Sequence, residues 1–251
     1  MFFQSRGRNE LHRQEVIIPR GIVEVVFNFE DTLKITAEIE SEKTVLPRCF
    51  ITGYKRLPSL IHHGENQDFF GVVFQPSIIK HRFGYLASEF ADKYIDLTLI
   101  DSSFNSLWYQ LGEKGDFKNR VRILKNWIYK QDFQLTQREK LINNFLDPST
   151  GVITSAAKLS HHLCYSTRHL SRKFQEIAGM NIEQILCYMK YLKSVNLMHF
   201  TNLQLTEIAH ICHFADQSHF SNTFKSFAKL TPREYRVVKG SVPGHYYKDV
   251  R

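Results

Sequence analysis

Residues 205–227 carry the stretch that decides the fold. They read Leu205-Thr206-Glu207-Ile208-Ala209-His210-Ile211-Cys212-His213-Phe214, then Ala215-Asp216, then Gln217-Ser218-His219-Phe220-Ser221-Asn222-Thr223-Phe224-Lys225-Ser226-Phe227. Helical spacing puts Ile208, Ala209 and Cys212 on one inner side of a short first helix. Asp216 is placed to cap a second helix, on which Phe220, Phe224 and Phe227 share a face. Gln217, Ser218, Ser221, Asn222 and Lys225 are left on the opposite face. That face is polar and nearly free of acids. It suits the DNA major groove, where amides and hydroxyls read base edges and lysine meets phosphate.

Upstream, the chain repeats this build. Ala156, Leu159, Ser160 and Leu163 form the inner side of a supporting helix. Ser166 then caps Thr167-Arg168-His169-Leu170-Ser171-Arg172-Lys173-Phe174, with Leu170 and Phe174 inward at i, i+4. Arg168, Ser171, Arg172 and Lys173 are the candidate DNA-facing residues of this unit. Arginine bridges guanine O6 and N7 in bidentate fashion, for about 1–3 kcal/mol of discrimination. Between the units, Ile185, Leu186, Met189, Leu192 and Leu197 mark one long amphipathic helix over 182–200. About 18 helical residues span about 27 Å. That length suits two reading helices about 34 Å apart, one turn of a duplex.

The first third of the chain reads differently. Gly21–Phe29 is rich in β-branched and aromatic residues, Glu30-Asp31 offers a turn, and Leu33–Ile39 alternates with period two. Cys49–Tyr54, Ser59–His62 and Phe69–Gln75 are further strand candidates, punctuated by Pro47, Pro58 and Gly64. Helical spacing follows at 78–90, 107–111, 117–131 and 137–146. Asp147-Pro148-Ser149-Thr150-Gly151 is a breaker. The fold class expected is α+β: an N-terminal small β-barrel or sandwich with following helices, then an all-α region with two helix-turn-helix units. The divisions are 1–147, 148–240 and a tail at 241–251.

Charge separates the same regions. Of 251 residues and a net +8, residues 1–150 hold 20 basic against 19 acidic side chains, and residues 151–251 hold 13 against 6. Such asymmetry points to a polyanionic partner for the second part. The opening Met1-Phe2-Phe3-Gln4-Ser5-Arg6 lacks an apolar leader and a small-residue cleavage site, and no apolar run approaches 18 residues. Neither export nor a membrane partner is expected. Cys49, Cys164, Cys187 and Cys212 are scattered, which suits free thiols in a reducing cytoplasm.

The run Leu163–Phe174, Gly179-Met180, Ile208-Ala209 with Cys212–Ser221, Phe224-Lys225 and the closing Thr231-Pro232-Arg233-Glu234-Tyr235-Arg236 resembles the DNA-binding domain of the AraC/XylS family of bacterial transcriptional regulators. The resemblance covers about 150–238. It implies seven helices with two helix-turn-helix units joined by a long helix. By position it makes Arg168, Ser171 and Arg172 readers in the first unit and Gln217, Ser218, His219 and Asn222 readers in the second. Cys164 and His213 stand where the family's turns usually have glycine, and Lys229 stands where glycine usually precedes Thr-Pro. Asn222 replaces a frequent arginine, and Lys190 a common one in the connecting helix. Pro19-Arg20-Gly21, Val25–Phe29, Phe50–Tyr54 and Gly71–Pro76 with Phe83-Gly84 resemble, more loosely, an uncharacterised domain that precedes the reader in one subgroup. That implies a sensor-like or dimerising region, with a small-molecule effector and a homodimer as expected partners beside double-stranded DNA.

Two alternatives stand beside this reading. His161, His162 and Cys164, or His210, Cys212 and His213, form clusters without the second pair of a closed zinc site, so no metal is expected. His62, His63 and Glu65, or His81, would mark an enzyme or metal module in the first region. No catalytic motif or phosphate loop is present, so no catalytic residue, no cofactor and no enzyme activity are expected.

Overall fold

A computed structural model describes residues 1–8, 13–29, 36–39, 42–63, 66–113, 115–129, 134–147 and 155–249. The Glu30-Asp31 turn, Leu33–Ile35, Gly64, Glu65 and most of the 147–151 breaker lie outside them. Among the described residues there are ten strands: β1 (Phe2–Arg8), β2 (Arg13–Ile17), β3 (Val23–Asn28), β4 (Thr36–Ile39), β5 (Glu42–Val45), β6 (Cys49–Thr52), β7 (Ser59–His62), β8 (Asn66–Phe74), β9 (Ile95–Asp96) and β10 (His245–Asp249). They form two five-stranded antiparallel sheets, ordered β1-β8-β3-β6-β9 and β10-β2-β7-β4-β5. No strand pairing joins one sheet to the other among the described residues, so the architecture is a sandwich rather than a closed barrel.

β3 shows why the core lies where it does. All six of its residues are buried. Alternate side chains of a strand point to opposite faces. Val23, Val25 and Phe27 join the large core under the helices, whereas Val26 faces the second sheet, with Ala37, Leu46, Phe50, Ile61 and Phe69. The helices on the outer face are α1 (Pro76–Phe83), α2 (Ser103–Glu113), α3 (Phe117–Tyr129) and α4 (Gln137–Leu146). Phe104 of α2 reaches Phe27 at 6.3 Å between ring centroids. Arg120 of α3 is buried and satisfied by Asp68 at 2.6 Å and by the Leu111 carbonyl at 3.0 Å.

The remaining helices are α5 (Ala156–His162), α6 (Thr167–Ala178), α7 (Ile182–Phe200), α8 (Leu205–Ile211), α9 (Gln217–Ala228) and α10 (Pro232–Val238). With α4, residues 137–238 hold seven helices among the described residues. α4 touches both regions: Asn143 accepts from the Ser77 N–H, and Phe145 packs on Phe174 at 5.7 Å. One contiguous core runs from β3 to α10.

The residues read from sequence as a tail contain β10. Its register with β2 pairs His245 with Ile17 and Asp249 with Arg13. Glu15 of β2 accepts from both His245 (2.6 Å) and His63 (2.8 Å). Burial raises the Glu15 pKa, but these bonds outweigh it and leave it at about 2. The chain after the last helix is thereby stitched into the first region.

Candidate nucleic-acid interface

The two helix-turn-helix units share one backbone plan. In the first turn, Leu163, Cys164 and Tyr165 donate to the carbonyls of Leu159, His161 and Ser160. In the second, Cys212, His213 and Phe214 donate to those of Ile208, His210 and Ala209. Cys164 has φ 52° and His213 φ 54°, so both occupy the left-handed region that favours glycine. Lys229 caps the C-terminus of α9 at φ 56°, in the role that Gly179 fills for α6 at φ 68°. The three positions that depart from the family's glycine pattern therefore keep a glycine-like backbone.

The second helix of each unit is capped as its sequence predicts. Ser166 Oγ accepts from the His169 N–H, and Asp216 Oδ1 from the His219 N–H. Leu170 and Phe174 on α6, and Phe220 and Phe224 on α9, are fully buried. That burial fixes which face stays outside. On α6, Arg168 and Arg172 are exposed. Lys173 is half-buried and paired with Glu176 at 2.8 Å. Ser171 is also half-buried, and its hydroxyl accepts from the Ile182 N–H at the start of α7. That contact gives Ser171 a structural partner within the domain. On α9, Gln217, Ser218, His219, Asn222 and Lys225 are exposed. His219 turns part of its ring back on the turn, accepting from the Ala215 N–H at 3.4 Å and lying edge-on to Phe214.

α7 is buried around more of its circumference than one apolar stripe provides. Ile185, Leu186, Met189 and Leu192 are buried as the spacing predicts, but so are Tyr188, Tyr191, Val195 and Met198. The tyrosines bond to the first region. Tyr188 donates to the Lys55 carbonyl at 2.7 Å and accepts from the Gly21 N–H at 3.1 Å. Tyr191 donates to the Pro19 carbonyl at 3.1 Å. Gly21 has φ 68°, and a Cβ there would lie 2.3 Å from Leu192 Cδ1. The joint thus needs glycine for both backbone and space. Sequence spacing marked these tyrosines only as part of a long helix, since the contacts are more than 130 residues away in the chain.

The histidines considered for catalysis do not converge. His62 faces Gln14 at 3.2 Å, His63 binds Glu15, and His81 binds Glu139 at 2.9 Å. Among the described residues no group of three His, Cys, Asp or Glu side chains could hold a metal ion. No helix among them is long and apolar enough to cross a membrane.

Comparison with known proteins fits this geometry. Residues 159–237 match a helix-turn-helix domain family, and residues 1–96 match a domain of unknown function (DUF6597). The transcriptional activator RhaS of Salmonella arizonae is 30% identical over 78 residues, covering 31% of this chain and 28% of that protein. RhaS of Yersinia pseudotuberculosis is 23% identical over 152 residues, 58% of this chain and 49% of that one. The matched stretches thus span half or less of these relatives. Among solved structures, an apo form of a ToxT variant from Vibrio cholerae superposes over 94% of this chain and 97% of its own with a TM-score of 0.53 at 13% identity, a likeness of fold.

Proposed function

We infer that this chain, of the AraC/XylS type by its helix-turn-helix domain, is a sequence-specific transcriptional regulator. Its two reading helices enter adjacent major-groove segments of double-stranded DNA. The observation that carries this reading is the duplicated turn: the same three backbone bonds, with a left-handed residue at the equivalent position, precede two helices with exposed, acid-poor faces. In the first unit Arg168 and Arg172 read bases, with Lys173 nearer the backbone and Ser171 positioning α7. In the second, Gln217, Ser218, His219 and Asn222 read, and Lys225 meets phosphate.

Residues 1–147 act as a sensor or dimerising region and residues 148–240 as the reader. Regulation comes through a small molecule or a second copy of the chain. The protein works in the cytoplasm and performs no catalysis. The matches to transcriptional activators support this reading. A gel-shift titration against the protein's own upstream region tests it. The expected result is a salt-sensitive preference over random duplex, and equal affinity for both would overturn it.

A further inference from the structure

A cavity of about 360 Å³ lies between the two sheets. Its wall is mostly apolar, with Phe50, Ile61 and Phe69 among its residues, and Val242 and His245 from the segment after α10 also line it. Charged side chains in the wall are matched by charged partners, with one exception. Glu24 is held by Arg20 at 2.9 and 3.0 Å, and Glu15 by His63 and His245. The exception is Lys55, whose residue is only 8% exposed. Its Nζ donates to Ser59 Oγ at 2.9 Å and to the Tyr94 hydroxyl, and lies over the Tyr94 ring. No carboxylate among the described residues forms a direct ion pair with it, although Glu24 in the same wall favours its charged form from farther away. Burying an ammonium whose direct partners are two hydroxyls and a ring face is costly, and an anion in the cavity offsets part of that cost.

We propose that this cavity binds a small, largely apolar anion that takes Lys55 as its charge partner. The proposal rests on the sensor role given above to the first region and names its ligand class. The apolar wall accommodates the body of such a molecule, and a few convergent polar groups orient it, as in most small-molecule sites. The same residue connects the site to the reader. The Lys55 carbonyl accepts from Tyr188 of α7, the helix that separates the two reading helices. Tyr188 also accepts from the Gly21 N–H, next to Arg20 in the cavity wall. Burial pushes the Lys55 ammonium down to about 7, and a bound anion raises it again.

The test uses the full chain and two fluorescent probes of matched shape, anionic 8-anilinonaphthalene-1-sulfonate and uncharged N-phenyl-1-naphthylamine. Wild type is expected to bind one sulfonate per chain at least about tenfold more tightly than the uncharged probe, a difference near 1.4 kcal/mol. Lys55→Met, which keeps the apolar stem, is expected to abolish that preference. Equal affinity of wild type for both probes, or an undiminished preference in Lys55→Met, would overturn the proposal. In wild type the bound sulfonate is expected to change duplex affinity, and Tyr188→Phe is expected to keep probe affinity while losing that change. Duplex binding without probe, read in the same samples, separates the two claims. Its absence in wild type counts against the regulator, and its persistence beside a failed probe result counts against the cavity alone.

Discussion

The two helix-turn-helix units have the same turns but different surroundings. α6 lies against the first region: Phe174 packs on Phe145 of α4, and a Cβ on Gly179 would come within 3.7 Å of Ala91 and Ser88. α9 is held by the reader itself, with Phe224 packed on Tyr191 of α7 at 5.3 Å and on Tyr235 of α10 at 5.6 Å. Their exposed faces differ as well. α6 offers two arginines, and α9 offers mainly neutral polar groups. The first region thus touches α6 directly and reaches α9 only through α7. On the function proposed above, the arginines of α6 are expected to weigh more in affinity, and the neutral groups of α9 more in discrimination by hydrogen bonding.

The largest effects come from breaking the anchors. Phe174→Ala and Phe224→Ala are each expected to cost about 3–5 kcal/mol in denaturant unfolding. Phe174→Ala, unlike Phe224→Ala, should also expose α4 to limited proteolysis. Equal cleavage of α4 in both would erase the distinction between the two environments.

Lys55 gives the next effect, by a few kcal/mol, with a defined pH dependence. Its pKa is lower in the folded state than the ordinary 10.5, so the unfolded chain binds more protons between about pH 7 and 10.5. The cost of burying Lys55 is therefore full below pH 7 and fades toward 10.5. Lys55→Met should raise stability most at or below pH 7 and gain little near pH 10.5. A gain independent of pH would show that charge burial is not the cause.

Smaller still is the loss from single reading residues. Arg172→Ala should cost about 1–3 kcal/mol of discrimination at one base position. Asn222→Ala should act at a different position, in the other half of the site. Competition binding against single-base variants of the duplex reads both. A uniform loss across sequences would make the residue a phosphate contact instead.

The smallest effect tests the likeness of the two turns. Cys164→Gly and His213→Gly each relieve a left-handed non-glycine residue and should stabilise the chain by about 1 kcal/mol in thermal unfolding. A gain in one turn and a loss in the other would show that the turns are not equivalent.

The reader was legible in sequence because its signals are local. Caps such as Ser166 and Asp216, pairs such as Phe220 and Phe224, and the glycine-like turns all act within a few residues. β3, β6, β7 and β8 were legible from β-branched and aromatic runs. β1 and β2 were not, because Gln4, Arg6, Arg13 and Gln14 interrupt any apolar alternation. β10 was hidden for a further reason: it is a strand only because β2 lies beside it, across more than 200 residues of chain. The Tyr188 and Tyr191 joint is equally non-local. Ser171 shows the limit at the candidate site itself. Its position on the helix suggested a base contact, and only the start of α7 reveals a hydrogen-bonding partner within the domain.

The central claim is that one chain reads two adjacent groove segments with two unlike helices. Hydroxyl-radical footprinting of the protein on its operator tests it most directly, with Arg172→Ala and Asn222→Ala alongside wild type. The expected wild-type pattern is two protected segments about one helical turn apart on one face of the duplex, each variant weakening a different segment. A single protected segment, or two variants that weaken the same one, would contradict it.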